Sequence, residues 1–309
     1  MMNRECNKKP VLIVGSIGLD DIETPFGIVK GVLGGAACYS STAASIFTEV
    51  RMIGVIGEDF PDEHIEFFNN RDINTKGVAR ITGETFHWSG FYEYDMNQAH
   101  TRQTDLNVLE NFNPIIPDEF KDTEYIFLAN IHPELQLAVL DQLTAPKFIV
   151  ADTMNFWLDS CKEQVIEVFK RVNCVTINDA EARQLCNTPS LVKAGRQILE
   201  LGPDMVVIKK GEHGAVMMTA DNYFVAPSFP LEEVKDPTGA GDTFAGGMLG
   251  YIARLDDINE NNLRKAVIYG SVLASYTVED FSLNRLAVLE PGEVICRFAE
   301  MRRMTFVNE

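Results

Sequence analysis

From Tyr125 to Lys209 the sequence swings regularly between short apolar runs and longer helical stretches. Tyr125–Ile131, Lys147–Asp152, Cys174–Ile177 and Met205–Lys209 read as buried strands. Pro133–Leu143, Lys162–Val172, Asp179–Leu185 and Leu191–Leu201 read as the helices between them. Strands separated by helices pair in parallel, because the crossover returns each strand in the same direction and lays its helix on a sheet face. The expected fold class is therefore α/β: a doubly wound, mainly parallel sheet flanked by helices. Val11–Gly15 and Val50–Ile56 add two more buried strands, Tyr39–Phe47 a helix, and Pro61–Arg71 a helix with proline in its first turn. A hairpin is expected around Ala215–Val225, then helices at Thr243–Arg254, Asn262–Glu279 and Gly292–Met304. No internal repeat or long linker interrupts the chain, so residues 1–309 read as one domain.

Two stretches break this rhythm. Ile22–Val32 has strand-like residues interrupted by Pro25 and Gly27, which suggests a hairpin. Gly77–Leu109 is polar and aromatic without helical periodicity, including Phe86, Trp88, Phe91 and Tyr92, and reads as exposed hairpins. Together, about 22–33 and 77–109 would form a small β-sheet lid that closes over a site or serves as a homodimer face.

The net charge of −18 argues against a nucleic-acid surface and against adhesion to an anionic membrane. No apolar run reaches transmembrane length, and Met1–Pro10 lacks the apolar core of a signal peptide. The six cysteines are scattered without a Cys-x-x-Cys pair, so a cytoplasmic location is the default. An anionic cosubstrate would need local donors and a metal.

Such donors are offered by Asp236-Pro237-Thr238-Gly239-Ala240-Gly241-Asp242-Thr243-Phe244-Ala245-Gly246-Gly247. The Asp-Pro step disfavours helix at Asp236, and a small-residue helical run follows. A helix starting here aims N–H groups and a positive dipole end at whatever lies in front, which makes an anion site. Asp242, in the same first turn, makes sense if a proton must be removed beside a phosphate. The plainer reading takes Thr238 as an N-cap and Asp242 as a dipole-complementing carboxylate. Bare glycines at 239 and 241 cost helix stability, which a plain cap does not require.

Other polar groups collect at predicted strand ends. Asp20 follows the first strand, where α/β sheets place ligands, and is a candidate to hold substrate hydroxyls or else an ordinary turn aspartate. Gly34-Gly35 at a helix start allows close approach of a ligand, or is a simple turn. Asn130, Asp152, Asn155, Asn178, Glu181, Lys209 and Lys210 complete the set. Asn178 and Glu181 also have the spacing of a capping box. Lys209-Lys210-Gly211-Glu212-His213-Gly214 sits where a strand enters a hairpin and reads as a phosphate contact or a solvated turn.

Asp236–Gly247 resembles the C-terminal signature of the ribokinase-like, PfkB carbohydrate kinase family. Gly34-Gly35 resembles that family's N-terminal glycine pair, Asn178-x-x-Glu181 its Asn-x-x-Glu motif, and Lys210-Gly211-x-x-Gly214 its nucleotide loop. The resemblance runs from about Val11 to Ala274. It implies a ribokinase-like fold and transfer of the γ-phosphoryl of ATP to a hydroxyl of a sugar or sugar-like substrate. Asp242 would be the base, with N–H groups of Gly239, Ala240, Gly241 and Asp242 as the anion hole. Asp20, Gly34, Gly35 and Tyr39 would face the substrate. Asn178, Glu181, Lys209, Lys210, Gly211 and Gly214 would border the nucleotide, Glu181 placing Mg2+ indirectly. Asp236 and Thr238 resemble positions that hold K+ in some members. A carboxylate beside a helix dipole would have a depressed pKa and act late. Tyr39 departs from the family: many sugar kinases have Asn there. The change exchanges a sugar-hydroxyl contact for a ring and opens the alternative of a nucleoside kinase. A non-catalytic metabolite-binding or regulatory protein on the same fold is the reading from another class.

Overall fold

The computed structural model describes residues 8–304. Most of the Met1–Pro10 stretch, with Cys6, lies outside the described residues. The strands in chain order are β1 (Val11–Val14), β2 (Gly18–Thr24), β3 (Gly27–Gly34), β4 (Val50–Ile56), β5 (Ile73–Arg80), β6 (Phe86–Tyr92), β7 (Ala99–Asp105), β8 (Tyr125–Leu128), β9 (Phe148–Ala151), β10 (Cys174–Asn178), β11 (Met205–Lys209), β12 (Ala215–Thr219) and β13 (Tyr223–Ala226). The helices are α1 (Ala36–Ser45), α2 (Asp62–Asn69), α3 (Pro133–Leu140), α4 (Asn155–Ser160), α5 (Lys162–Phe169), α6 (Asp179–Cys186), α7 (Leu191–Leu201), α8 (Ala240–Leu255), α9 (Glu260–Thr277), α10 (Asn284–Ala287) and α11 (Pro291–Met304).

Nine strands form the large sheet in the order β13-β12-β11-β10-β9-β8-β1-β4-β5. Seven of them, β11 through β5, run parallel, and the β12–β13 hairpin adds an antiparallel edge. The apolar strand residues serve two cores by simple alternation. Val11, Ile13, Met205 and Val207 face the α1, α8 and α9 side. Leu12, Val14, Val206 and Ile208 face the α3, α5, α6 and α7 side. Every strand residue from Val11 to Val14 is fully buried, as expected of a strand covered on both faces. From β1 the chain moves outward to β4 and β5, then returns to place β8 on the other flank of β1. That reversal marks the carboxyl ends of β1 and β8 as the crevice where such sheets bind ligands.

The small sheet has the order β3-β2-β6-β7, with β2–β3 and β6–β7 antiparallel and β2–β6 parallel. Here the sequence reading needs three corrections. Asp20 lies within strand β2 rather than in a loop after β1, because only Gly15–Ile17 separate the two strands. Residues 77–80 belong to β5 at the edge of the large sheet, so the small sheet draws on 86–105 from the second stretch. Helix α8 starts at Ala240, three residues earlier than read, so Ala240 and Gly241 lie inside its first turn.

Helices α1 and α8 pack unusually closely because both are built of small residues. A Cβ at Gly246 would stand 2.2 Å from Ser40 O, and one at Gly250 would stand 2.8 Å from Ala44 Cα. This contact brings the two helix N-termini, at Gly35 and Gly239, side by side.

Candidate active site

Gly239 caps α8 in the left-handed region, φ +73°. A Cβ there would fall 2.3 Å from Tyr39 Cγ, so the ring of Tyr39 lies flat against the bare backbone of the loop. Tyr39 is buried and its hydroxyl has no partner. The ring is thus the floor under the loop and offers no open stacking surface, contrary to one implication drawn from its type.

Asp20 is equally buried, at 3% exposure, and its Oδ1 has no hydrogen-bond partner. Gly34 lies directly against it, since a Cβ at 34 would fall 1.9 Å from Oδ2. Burial first, then the charges of Asp236 and Asp242, push the Asp20 carboxyl up to about 8, while the Gly35 N–H draws it down. A buried acceptor left unmade costs free energy comparable to a lost hydrogen bond, so this oxygen is prepared for a polar group brought from outside.

Asp236 is a staple. Its Oδ1 accepts the N–H of Thr238 at 2.9 Å and its Oδ2 that of Ser282 at 3.0 Å, while Ser282 Oγ donates to Leu33 O at 2.5 Å. Both oxygens are thereby committed, and the hydroxyl of Thr238 donates to Tyr92 at 3.2 Å. These side chains tie the loop to the end of β3 and to the small sheet. Asp236 and Thr238, the pair that the resemblance links to K+, serve here as ties of the loop.

Asp242 stands in the first turn of α8. Its carboxyl is pushed up to about 7, by burial first and the Asp152 charge second, against a lowering by Lys209 and its own N–H. This reverses the depression expected from the helix dipole: desolvation in a cluster of carboxylates outweighs it. Of the four N–H groups expected in an anion hole, that of Ala240 reaches Pro237 O at 3.2 Å.

On the other side of Asp242, Lys209 at the end of β11 donates to Asp152 Oδ2 at 2.5 Å. Glu181 and Asn178 make a reciprocal capping box at the start of α6: Asn178 N–H to Glu181 Oε2 at 2.9 Å, Glu181 N–H to Asn178 Oδ1 at 2.8 Å. The structural reading of that motif therefore holds for its local geometry, yet it also buries Glu181 facing the cluster. Burial and Asp152 push the Glu181 carboxyl up to about 7, with Lys209 and the Asn178 N–H opposing. Gly211 and Gly214 shape the β11–β12 turn with positive φ, and Lys210 closes it with an N–H to Gly214 O at 2.7 Å.

The model of the pfkB family carbohydrate kinases matches residues 6–287. The chain belongs to that family. A cytidine kinase of Thermococcus kodakarensis is 29% identical over 250 residues, 79% of this chain and 88% of that protein. A deoxyribokinase of Salmonella typhi is 33% identical over 253 residues, 78% of this chain and 80% of that protein. Among solved structures, a Burkholderia thailandensis nucleoside kinase in complex with ADP-inosine superposes with a TM-score of 0.79 at 17% identity, covering 94% of this chain and 95% of that one. The fold is ribokinase-like, and the chain is an ATP-binding phosphotransferase acting on a hydroxyl group.

In this pfkB-family kinase the expected residues fall into two adjoining groups. Asp20, Gly34, Gly35, Tyr39, Asp236 and Thr238 gather around the N-termini of α1 and α8. Asn178, Glu181 and Lys209 lie beyond Asp242, and Lys210, Gly211 and Gly214 form the turn next to them, with Gly211 exposed and Gly214 buried. Sequence reasoning did not find Tyr92 or Ser282 as loop partners, since each is linked to the loop only through tertiary contact. Asp152 was noted as one polar strand end among several; its ion pair with Lys209 carried no sequence signal. Asn130 accepts from Trp157 Nε1 at 2.9 Å, and Asn155 begins α4 exposed.

Proposed function

We propose that this kinase transfers the γ-phosphoryl group of ATP to a sugar hydroxyl of a nucleoside, with Asp242 as the base. The observation that carries the chemistry is Asp242 itself: a carboxyl pushed up to about 7, in the first turn of α8, beside a loop of bare glycines. A base is most useful when its pKa lies near the working pH. The acceptor oxygen bonds to phosphorus, the bond to the bridging oxygen of the nucleotide breaks, and the hydroxyl proton passes to the Asp242 carboxylate. The start of α8 bears the charge of the transferring group. Asp20 holds a neighbouring hydroxyl with its unpartnered oxygen. Among the described residues no cluster of three or more His, Cys, Asp or Glu is placed to ligate a metal directly. The buried Glu181 carboxyl suits a magnesium ion that keeps its water shell, and such an ion would neutralise phosphate charge.

Support for a nucleoside over a free sugar comes from the cytidine kinase, whose likeness covers most of both chains. The test is ADP release with ATP and Mg2+ against cytidine, uridine, inosine, ribose and deoxyribose. A nucleoside should give the highest kcat/KM. A free pentose as best substrate would overturn the nucleoside assignment, and no release with any acceptor would overturn the kinase mechanism.

A further inference from the structure

Four charged side chains from four different elements meet behind the α8 loop: Asp152 after β9, Glu181 on α6, Lys209 on β11 and Asp242 on α8. Lys209 is the cation of this group. Its Nζ stands 2.5 Å from Asp152 Oδ2, and the two side chains are 16% and 4% exposed. Asp152 is itself fixed, its Oδ1 accepting the N–H of Thr153 at 2.9 Å. The bare backbone of Gly241 admits the ammonium, since a Cβ there would stand 3.0 Å from Nζ. The ammonium therefore lies against the first turn of α8, where the anion is expected.

A phosphoryl group arriving there meets the carboxyls of Asp152, Glu181 and Asp242, and burial weakens the screening of whatever charge they carry. The helix end offers only about half a positive charge, and the N–H of Ala240 already reaches Pro237 O. We propose that Lys209 is a catalytic residue whose ammonium contacts the transferring phosphoryl group at the Gly239–Asp242 loop, and that Asp152 is the positioning residue that holds it there. This rests on the kinase reading above. During transfer Lys209 keeps its protons; the proton of the acceptor hydroxyl goes to Asp242, and the bridging oxygen of the nucleotide leaves with its electron pair. Burial works against the charge on Lys209, but Asp152, Glu181 and Asp242 together outweigh it and raise its pKa. A lysine supplies a compact point charge on a long stem, able to follow the phosphorus as it moves.

Three variants test this: Lys209→Met, Lys209→Arg and Asp152→Asn, each checked for folding by its melting curve. Lys209→Met should lower kcat by roughly 10²–10³, the range for losing one oxyanion donor, with acceptor KM nearly unchanged. Lys209→Arg should recover about tenfold of that loss, since it restores the charge but not its shape. In Asp152→Asn the ammonium is free to turn to Asp242, so kcat falls while the acid limb of the pH profile moves to lower pH, a shift that a purely structural role would not produce. Turnover of Lys209→Met within about threefold of the parent, or a loss seen only in acceptor KM, overturns the proposal. Calorimetry with ADP, Mg2+ and aluminium fluoride, whose metal fluoride stands in for the transferring group, reads Lys209 without turnover. If the parent phosphorylates no acceptor but binds this mimic about tenfold tighter than Lys209→Met, the kinase mechanism fails and the Lys209 contact stands. Equal binding overturns the contact.

Discussion

A carboxyl that titrates near neutrality at Asp242 is set by what surrounds it rather than by its own position on the helix. Burial and Asp152 raise it and Lys209 lowers it. Deprotonation is required for a base, so kcat/KM should rise with pH through about 7 and then level. Asp242→Asn keeps the side-chain volume but takes no proton, and should lose about 10²–10⁴ in kcat with ADP affinity little changed; near-normal turnover would remove Asp242 from its role. Gly239 is the other residue on which the site turns. Gly239→Ala would combine a left-handed backbone, worth about 1–2 kcal/mol, with a Cβ driven into the Tyr39 ring, worth about 1–3 kcal/mol more. The denaturant midpoint should drop and turnover should fall together. An unchanged midpoint would mean that the ring and the loop are not in contact in solution.

At the scale of elements, the small sheet meets the α8 loop through the hydrogen bond from Thr238 to Tyr92. Tyr92→Phe removes that acceptor, costing about 0.5–1.5 kcal/mol at the tie. If the sheet closes over the acceptor, KM for the acceptor should rise several-fold with kcat nearly constant; an unchanged KM would place the tie outside the binding step. The strands of the large sheet were legible because two covered faces demand uninterrupted apolar runs, as in Val11–Val14 and Met205–Ile208. β5 was not, because an edge strand with partly exposed faces, Ile73-Asn74-Thr75-Lys76, carries no such run. The loop itself was legible because glycine spacing reports backbone demands directly. Its supports were not: Tyr92, Ser282 and Asp152 act across 146, 46 and 57 residues of sequence, and no local pattern encodes such pairings. The close approach of α1 to α8 did leave a trace, in glycines at 246 and 250 one helical turn apart, which marks a face able to take a neighbouring backbone.

Across the whole molecule, the site determines how stability depends on pH. Asp20, Glu181 and Asp242 have carboxyls raised to about 8, about 7 and about 7 in the folded chain, against about 4 when unfolded. Between these limits the native state binds more protons than the unfolded one, so stability falls as pH rises. The contribution of each group is fully present below about pH 4 and is lost as pH climbs through its folded value. The net charge of −18 adds surface repulsion in the same direction. Salt separates the two, because exposed charges are screened and buried ones much less. The melting temperature of the free enzyme should therefore decline from pH 5.5 to pH 8.5, and part of that decline should persist in 0.5 M NaCl, conditions that bracket roughly the titration range and a Debye length of a few ångströms. Asp20→Asn removes one titrating group, worth at most about 1.4 kcal/mol per pH unit of slope. Its curve should be shallower than the parent's at both salt concentrations, with the gap widening toward high pH. Parallel curves would show that Asp20 is ionised in the folded chain, and hence that its free oxygen already has a partner in solution.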